Sequence, residues 1–280
     1  MSNLIDIGWG SNVSIKLKMP DNSTRCGLCM RTRELQESHL IPAAIYRLLR
    51  DADPNHITIT IPKSFTTSKQ VSAPFLCYNC EQRFSRNGEN YVLSECAQPD
   101  GSFPLREKIQ TLSPLQEAPS FKIYDVKALL GSNVDQYLYF AASIFWRSSA
   151  HRWKMGIESV GHISLGKKYQ EQFRLYLLGE SSWPQNARIH VHVSSEEQPL
   201  MQIVFPCSSR IDGVHCHKFY IPGLLFVLLL GSDVPKRPDA GSLNGGPHQV
   251  MLLCPWENDS LFRGATNVMK TSRPAGKLRR

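Results

Sequence analysis

The chain has 280 residues and a formal net charge of +8 at pH 7, with 41% hydrophobic residues and eight cysteines, a length that leaves room for more than one core. Its longest apolar run, Leu224 to Leu230, is far too short to span a bilayer, and Met1 to Met19 holds no basic stretch followed by an apolar one. No membrane partner and no secreted disulfide framework are expected, but rather a soluble cytoplasmic protein with reduced thiols. The charge is unevenly placed. Residues 1–120 and 121–262 each hold 13 Lys and Arg against 12 Asp and Glu, so the excess lies in Arg263, Lys270, Arg273, Lys277, Arg279 and Arg280.

In chain order, residues 1–24 read as an extension, 25–97 as a metal-built module, 98–120 as a proline-containing boundary, 121–262 as a larger α+β domain and 263–280 as a basic tail. The module is defined by two Cys-x-x-Cys pairs, Cys26/Cys29 and Cys77/Cys80. A two-residue gap lets both sulfurs of a pair reach one ion, and four thiolates satisfy tetrahedral zinc. Between the pairs, Pro42 suits the first turn of a helix that carries Ile45, Leu48 and Leu49 to Asp51, and His56 to Ile61 alternates as a strand. A helix should leave Cys80 toward Cys96, with Asn87-Gly88 as an interruption. Pro99, Pro104, Pro114 and Pro119 mark the boundary.

Beyond it, Val134, Tyr137, Leu138, Ala141, Ala142 and Phe145 recur at helical spacing, and Phe140, Ile144 and Trp146 make the other faces apolar too, so this helix should be central and buried. A second helix carries Leu165, Tyr169, Phe173 and Tyr176 and should end at Gly179. Arg188 to Val193, Leu200 to Phe205, Val214 to Leu230 and Gln249 to Leu253 read as strands or buried segments, and Gly231 to His248 as an irregular loop. The fold class is α+β, helices then sheet.

The module resembles the HNH endonuclease family in its zinc-stabilised, ββα-metal, treble-clef form, through Cys26-x-x-Cys29, Ser38-His39-Leu40-Ile41-Pro42 and Leu76-Cys77-x-x-Cys80-Glu81. It is a divergent likeness, covering about Cys26 to Gly88. Where the family has an acid before the histidine this chain has Ser38; where it has Asn, Ser72; where it has His after the last cysteine, Glu81. The resemblance implies that His39 is the general base and that the four cysteines hold structural Zn2+. It further implies a divalent-cation-dependent endonuclease of DNA, of the kind that serves restriction and anti-phage systems.

Phosphodiester hydrolysis needs a base for water and a cation for the growing negative charge. His39 titrates near working pH, and Glu81 offers the oxygen that Mg2+ or Mn2+ accepts, with Glu89 as a second ligand if Gly88 bends the chain. Arg31, Arg33, Arg47, Arg83 and Arg86 would meet phosphates on the same face, and Lys277, Arg279 and Arg280 would grip them through the tail. Each residue also has a plainer reading: a histidine hydrogen-bonded in the core, a glutamate favoured by the helix dipole, arginines on a solvated surface. Phe145-Trp146-Arg147 with His151, Arg152 and Trp153 reads as core packing with arginines at its edge. Cys207, Cys216 and His217 do not match a knuckle, and His190 and His192 read as exposed strand residues. The second domain would supply substrate or protein-partner recognition. The rival function is a zinc scaffold without catalysis that binds nucleic acid or protein.

Overall fold

The computed structural model describes residues 24–52, 57–60, 63–66, 69–236, 241–255, 259–271 and 273–274. The chain enters through the first knuckle and runs into β1 (Leu35–His39) and α1 (Ala43–Ala52), which buries Ile45 and Leu49. The strands β2 (Ile57–Thr60) and β3 (Lys63–Thr66) pair antiparallel, and β4 (Ser72–Cys77) returns to pair antiparallel with β1, matching His39 with Ser72. β4 passes without a loop into α2 (Tyr78–Phe84), Cys77 holding the last extended backbone position. The second cysteine pair thus sits at the junction of β4 and α2, and the first lies ahead of β1. The expected strand at His56 to Ile61 agrees with β2, its two end residues lying outside the described residues.

The expected interruption after Cys80 is a π-helical turn, Ser85–Glu89, between α2 and α3 (Asn90–Glu95). Its cause is contact: a β-carbon on Gly88 would lie 2.8 Å from the Phe140 backbone nitrogen and 2.9 Å from the Gln136 carbonyl oxygen. Only glycine lets the two backbones approach so closely, and the wider turn carries Glu89 into the interior, where it is buried.

The stretch 98–120 is structured, because its apolar residues find a core. It forms α4 (Pro104–Gln110), with Phe103, Leu105 and Ile109 wholly buried, and then β5 (Gln116–Ala118). β5 pairs with β6 (Phe121–Asp125), a strand that sequence periodicity did not reveal. After the short α5 (Lys127–Leu130) comes α6 (Val134–Ala150), then the small hairpin β7 (Lys154–Met155) and β8 (Glu158–Ser159), and α7 (Gly166–Leu178), capped by left-handed Gly179 as expected.

The strands β9 (Ala187–Ser194), β10 (Val204–Ile211), β11 (Val214–Ile221), β12 (Leu224–Leu230) and β13 (Val250–Cys254) complete a seven-stranded sheet in the order β10-β11-β12-β9-β13-β6-β5. The β9–β13 pair is parallel and the others are antiparallel. Because β5 and β6 precede α6, the expected order of helices followed by sheet holds only in part. β10 begins at Val204, four residues later than the apolar run Leu200 to Phe205 suggests, and continues through the polar residues Ser208 to Arg210.

Along β12, Leu224, Phe226, Leu228 and Leu230 enter the main core, while Leu225 and Val227 join a second cluster with Cys216 and Tyr220. Leu261 and Phe262 of α8 (Ser260–Thr271) pack on that second face, so the start of the basic tail is helical. The final element, β14 (Arg273–Pro274), pairs parallel with β3. Lys277, Arg279 and Arg280 lie outside the described residues.

α6 is the centre of the molecule, with thirteen of its seventeen residues buried, as its all-round apolar sequence requires. Toward the cysteine group, the Trp146 ring stacks 5.5 Å from Phe75 and meets Phe84 edge-on at 6.2 Å. Toward the sheet, Phe140 and Phe145 meet Phe219, and Phe140 meets Phe226. Each large side chain so buried contributes about 1.5–3 kcal/mol. One hydrophobic cluster therefore runs from Cys26 through α6 to Leu253. Among the described residues no helix is long and apolar enough to cross a membrane.

Candidate metal centre and the polar cluster behind it

The first knuckle turns between Cys26 and Arg31, where the Cys26 amide donates to the Arg31 carbonyl and the Met30 amide to the Cys26 carbonyl, each at 3.0 Å. Met30 takes a left-handed φ of 60° to close it. A β-carbon on Gly27 would sit 2.1 Å from the Phe75 ring, so the knuckle lies directly on β4. From the other side, Arg174 of α7 donates to the Leu28 carbonyl at 2.8 Å.

The donor atoms of Cys26, Cys29, Cys77 and Cys80 all lie within 4.8 Å of one another. The Cys29 and Cys77 sulfurs are 3.9 Å apart. A tetrahedral ion with bonds of about 2.3 Å to sulfur would set its ligands about 3.8 Å apart, so the spacing fits zinc. The Cys77 amide donates to the Cys26 sulfur at 3.3 Å. Hydrogen bonding from the Cys80 thiol, with backbone donors, pulls Cys26 well below the usual thiol range, while the same bond and burial push Cys80 up and burial pushes Cys77 up. Thiolate character is what a metal ligand requires. The four cysteines thus form a group able to hold a metal ion such as zinc.

Behind this centre lies a polar cluster. His39 ends β1, half-buried, its ring 6.4 Å from that of Tyr46. Burial lowers its pKa below 6.5, Arg147 adds to the lowering, and Glu37, Glu89 and a hydrogen bond with Gln70 oppose it. Ser38, which stands where the resembled family has an acid, is fully buried; its hydroxyl accepts the Leu76 amide at 2.9 Å and donates to the Gln36 carbonyl at 3.4 Å, with the Glu81 carboxylate as its alternative acceptor. Ser72 donates to the Glu37 carboxylate at 2.6 Å.

Glu81 lies in the first turn of α2, and its Oε1 is buried without a hydrogen-bond partner among the described residues. Burial raises its pKa, and Arg147 and the Ser38 hydrogen bond work against that shift. Glu89, expected as a second cation ligand, is engaged elsewhere: Oε1 accepts Nη2 of Arg147 at 2.7 Å and Oε2 faces the Ser85 hydroxyl at 3.5 Å. Among the described residues, the cysteine group is the one set of three or more His, Cys, Asp or Glu donors within 4.8 Å of each other, so His39, Glu81 and Glu89 do not form a second.

Of the arginines expected to meet phosphate, Arg31, Arg33, Arg47 and Arg86 are exposed. Arg83 is half-buried and donates to the Leu178 carbonyl at 3.1 Å, which ties α2 to α7. Arg147, taken from sequence as an arginine at the edge of a packed cluster, is instead 1% exposed at its centre. A lone cation on a helix without a polar face was the available signal, since a buried guanidinium requires a partner. His151 lies 5.0 Å from Phe75 and 4.9 Å from Trp153, in the packing role expected. His190 and His192 are half-buried rather than exposed, and Cys207, Cys216 and His217 form no metal group among the described residues. Comparison of the chain with protein-family models, with curated proteins and with solved structures returned no match to any of them.

Proposed function

We propose that the protein is an HNH-like endonuclease that hydrolyses phosphodiester bonds of DNA with a divalent cation, Mg2+ or Mn2+, beside its structural zinc. The observation that carries this reading is a buried Glu81 oxygen without a hydrogen-bond partner among the described residues at the start of α2, with the half-buried His39 at the end of β1, on the scaffold that holds the cysteine group. A carboxylate oxygen without a protein partner could supply one ligand to such a cation, whose remaining ligands would be water and substrate phosphate. When bound, that cation would neutralise charge on the phosphate and the leaving oxygen.

His39 would accept a proton from the attacking water as the new phosphorus–oxygen bond forms. The phosphorus–oxygen bond to the sugar breaks, and the departing alkoxide takes a proton from solvent. The exposed Arg31, Arg33, Arg47 and Arg86, with the basic tail, support binding to a polyanion. A role in restriction or anti-phage defence follows from the family likeness alone.

A specific observation favours a second reading, a zinc scaffold that binds nucleic acid or protein without cutting: Glu89 is already paired with Arg147. Titrating Mg2+ or Mn2+ into supercoiled plasmid with zinc-loaded protein separates the two. The nuclease reading expects cation-dependent nicking, and a Glu81→Gln variant that needs about tenfold or more cation for the same rate. Retained plasmid binding without nicking at any cation concentration would favour the scaffold.

A further inference from the structure

Arg147 is the one residue of α6 that reaches from the helix at the centre of the fold into the polar cluster, and its five donors are nearly all spoken for. Nη1 donates to the His39 carbonyl at 2.7 Å, Nη2 to Glu89 Oε1 at 2.7 Å and to the Ser143 hydroxyl at 3.2 Å, and Nε to the Ser143 carbonyl at 3.3 Å. The guanidinium lies 5.1 Å over the Phe84 ring of α2. Its own carbonyl accepts the Trp153 indole N–H at 2.9 Å, so both ends of the residue are fixed. Neither the zinc group nor the proposed hydrolysis calls for this residue.

We propose that Arg147 is a positioning residue for His39. It joins the end of β1, the π turn behind α2 and the body of α6 through one planar fork, and so sets the direction from which the imidazole enters the site. The fork holds the backbone from which the imidazole projects, while the ring itself lies tilted 6.4 Å from the Tyr46 ring and hydrogen-bonds Gln70. Glu89 is, on this account, the counter-ion that holds the fork in place. The proposal rests on the nuclease reading for its catalytic consequence, but the orientation of His39 can be observed without catalysis.

A lysine keeps the charge but cannot donate to the His39 carbonyl and to Glu89 in the same plane, so Arg147→Lys is the informative substitution. The expected result is a zinc-loaded, folded variant whose kcat on a labelled DNA duplex with Mn2+ falls about 10- to 100-fold while KM stays within about twofold. In the same variant the His39 Cε1–H resonance, assigned with His39→Ala at a fixed pH of about 7, should shift or broaden. An unchanged rate with an unchanged resonance overturns the proposal, and so does a rise in KM alone.

Should Arg147→Lys fail to fold, Glu89→Gln with Arg147→Met removes both buried charges together and is judged by the same readouts. If the unaltered protein cuts nothing, the nuclease reading falls. The resonance then decides alone: movement sustains positioning by Arg147, and no movement ends it.

Discussion

A guanidinium that is 1% exposed among tryptophan and phenylalanine rings persists because nearly every donor has an acceptor and one acceptor is charged. His217 shows the opposite arrangement. It is also 1% exposed, its Nδ1 meets the Ser208 hydroxyl at 2.8 Å, and its Nε2 is buried without a partner among the described residues. Burial, aided by His215, holds its pKa down to about 4 from an ordinary 6.5. The unfolded chain therefore binds this proton between those values and the folded chain does not. The resulting stability is complete above pH 6.5 and is lost as pH falls toward 4, by at most about 3 kcal/mol. His217→Gln should flatten the dependence of Tm on pH over that window relative to the unaltered protein; parallel curves would show that His217 is not buried as described. Comparing the two proteins cancels any loss of a cysteine-bound metal that acid would cause in both. These residues were hard to read in the sequence for a common reason: burial of a polar group depends on which strand or helix faces it, and Arg147 is met by His39 and Glu89, and His217 by Phe145, from distant parts of the chain.

The turn after α2 belongs to the scale of elements. Asn87-Gly88 announced an irregularity, yet whether the chain would break, bend or widen there depended on α6, about fifty residues away. Contact with the α6 backbone selected a π turn, which turned Glu89 toward Arg147. Gly88→Ala places a methyl group against backbone atoms that cannot move aside, and is expected to cost about 1–3 kcal/mol in thermal or denaturant unfolding. A neutral result would mean that the helices do not pack this closely. The long helices, by contrast, were legible because their apolar spacing and the cap at Gly179 are local signals. β5 and β6 were not, since a short mixed strand becomes sheet only by pairing with β13, and three exposed or half-exposed residues only by pairing with that strand in turn.

At the scale of the molecule, α6 is a shared wall between the cysteine group and the seven-stranded sheet. Zinc contributes about 10–16 kcal/mol to folding in small modules of this kind. Its removal should therefore disturb more than residues 25–97. Chelation is expected to abolish the near-ultraviolet circular dichroism of Trp146 and Trp153 in a single transition that also loosens the sheet. A sheet that melts later, in a separate transition, would contradict this coupling. The cysteine group was readable because ligand spacing is written in adjacent residues, whereas the shared core was not, because it is assembled from segments that alternate between the two sides of one helix.

The central claim is that this scaffold presents His39 as the base of a phosphodiester hydrolase. The measurement that tests it most directly compares the unaltered protein with His39→Ala on supercoiled plasmid and single-stranded DNA, with Mg2+ or Mn2+ present and zinc content measured in both. The account predicts cation-dependent cutting that the substitution reduces by about 100-fold or more while zinc stays bound. Cutting that survives the substitution would remove His39 from the chemistry, and DNA binding with no cutting by either protein would contradict the hydrolase itself.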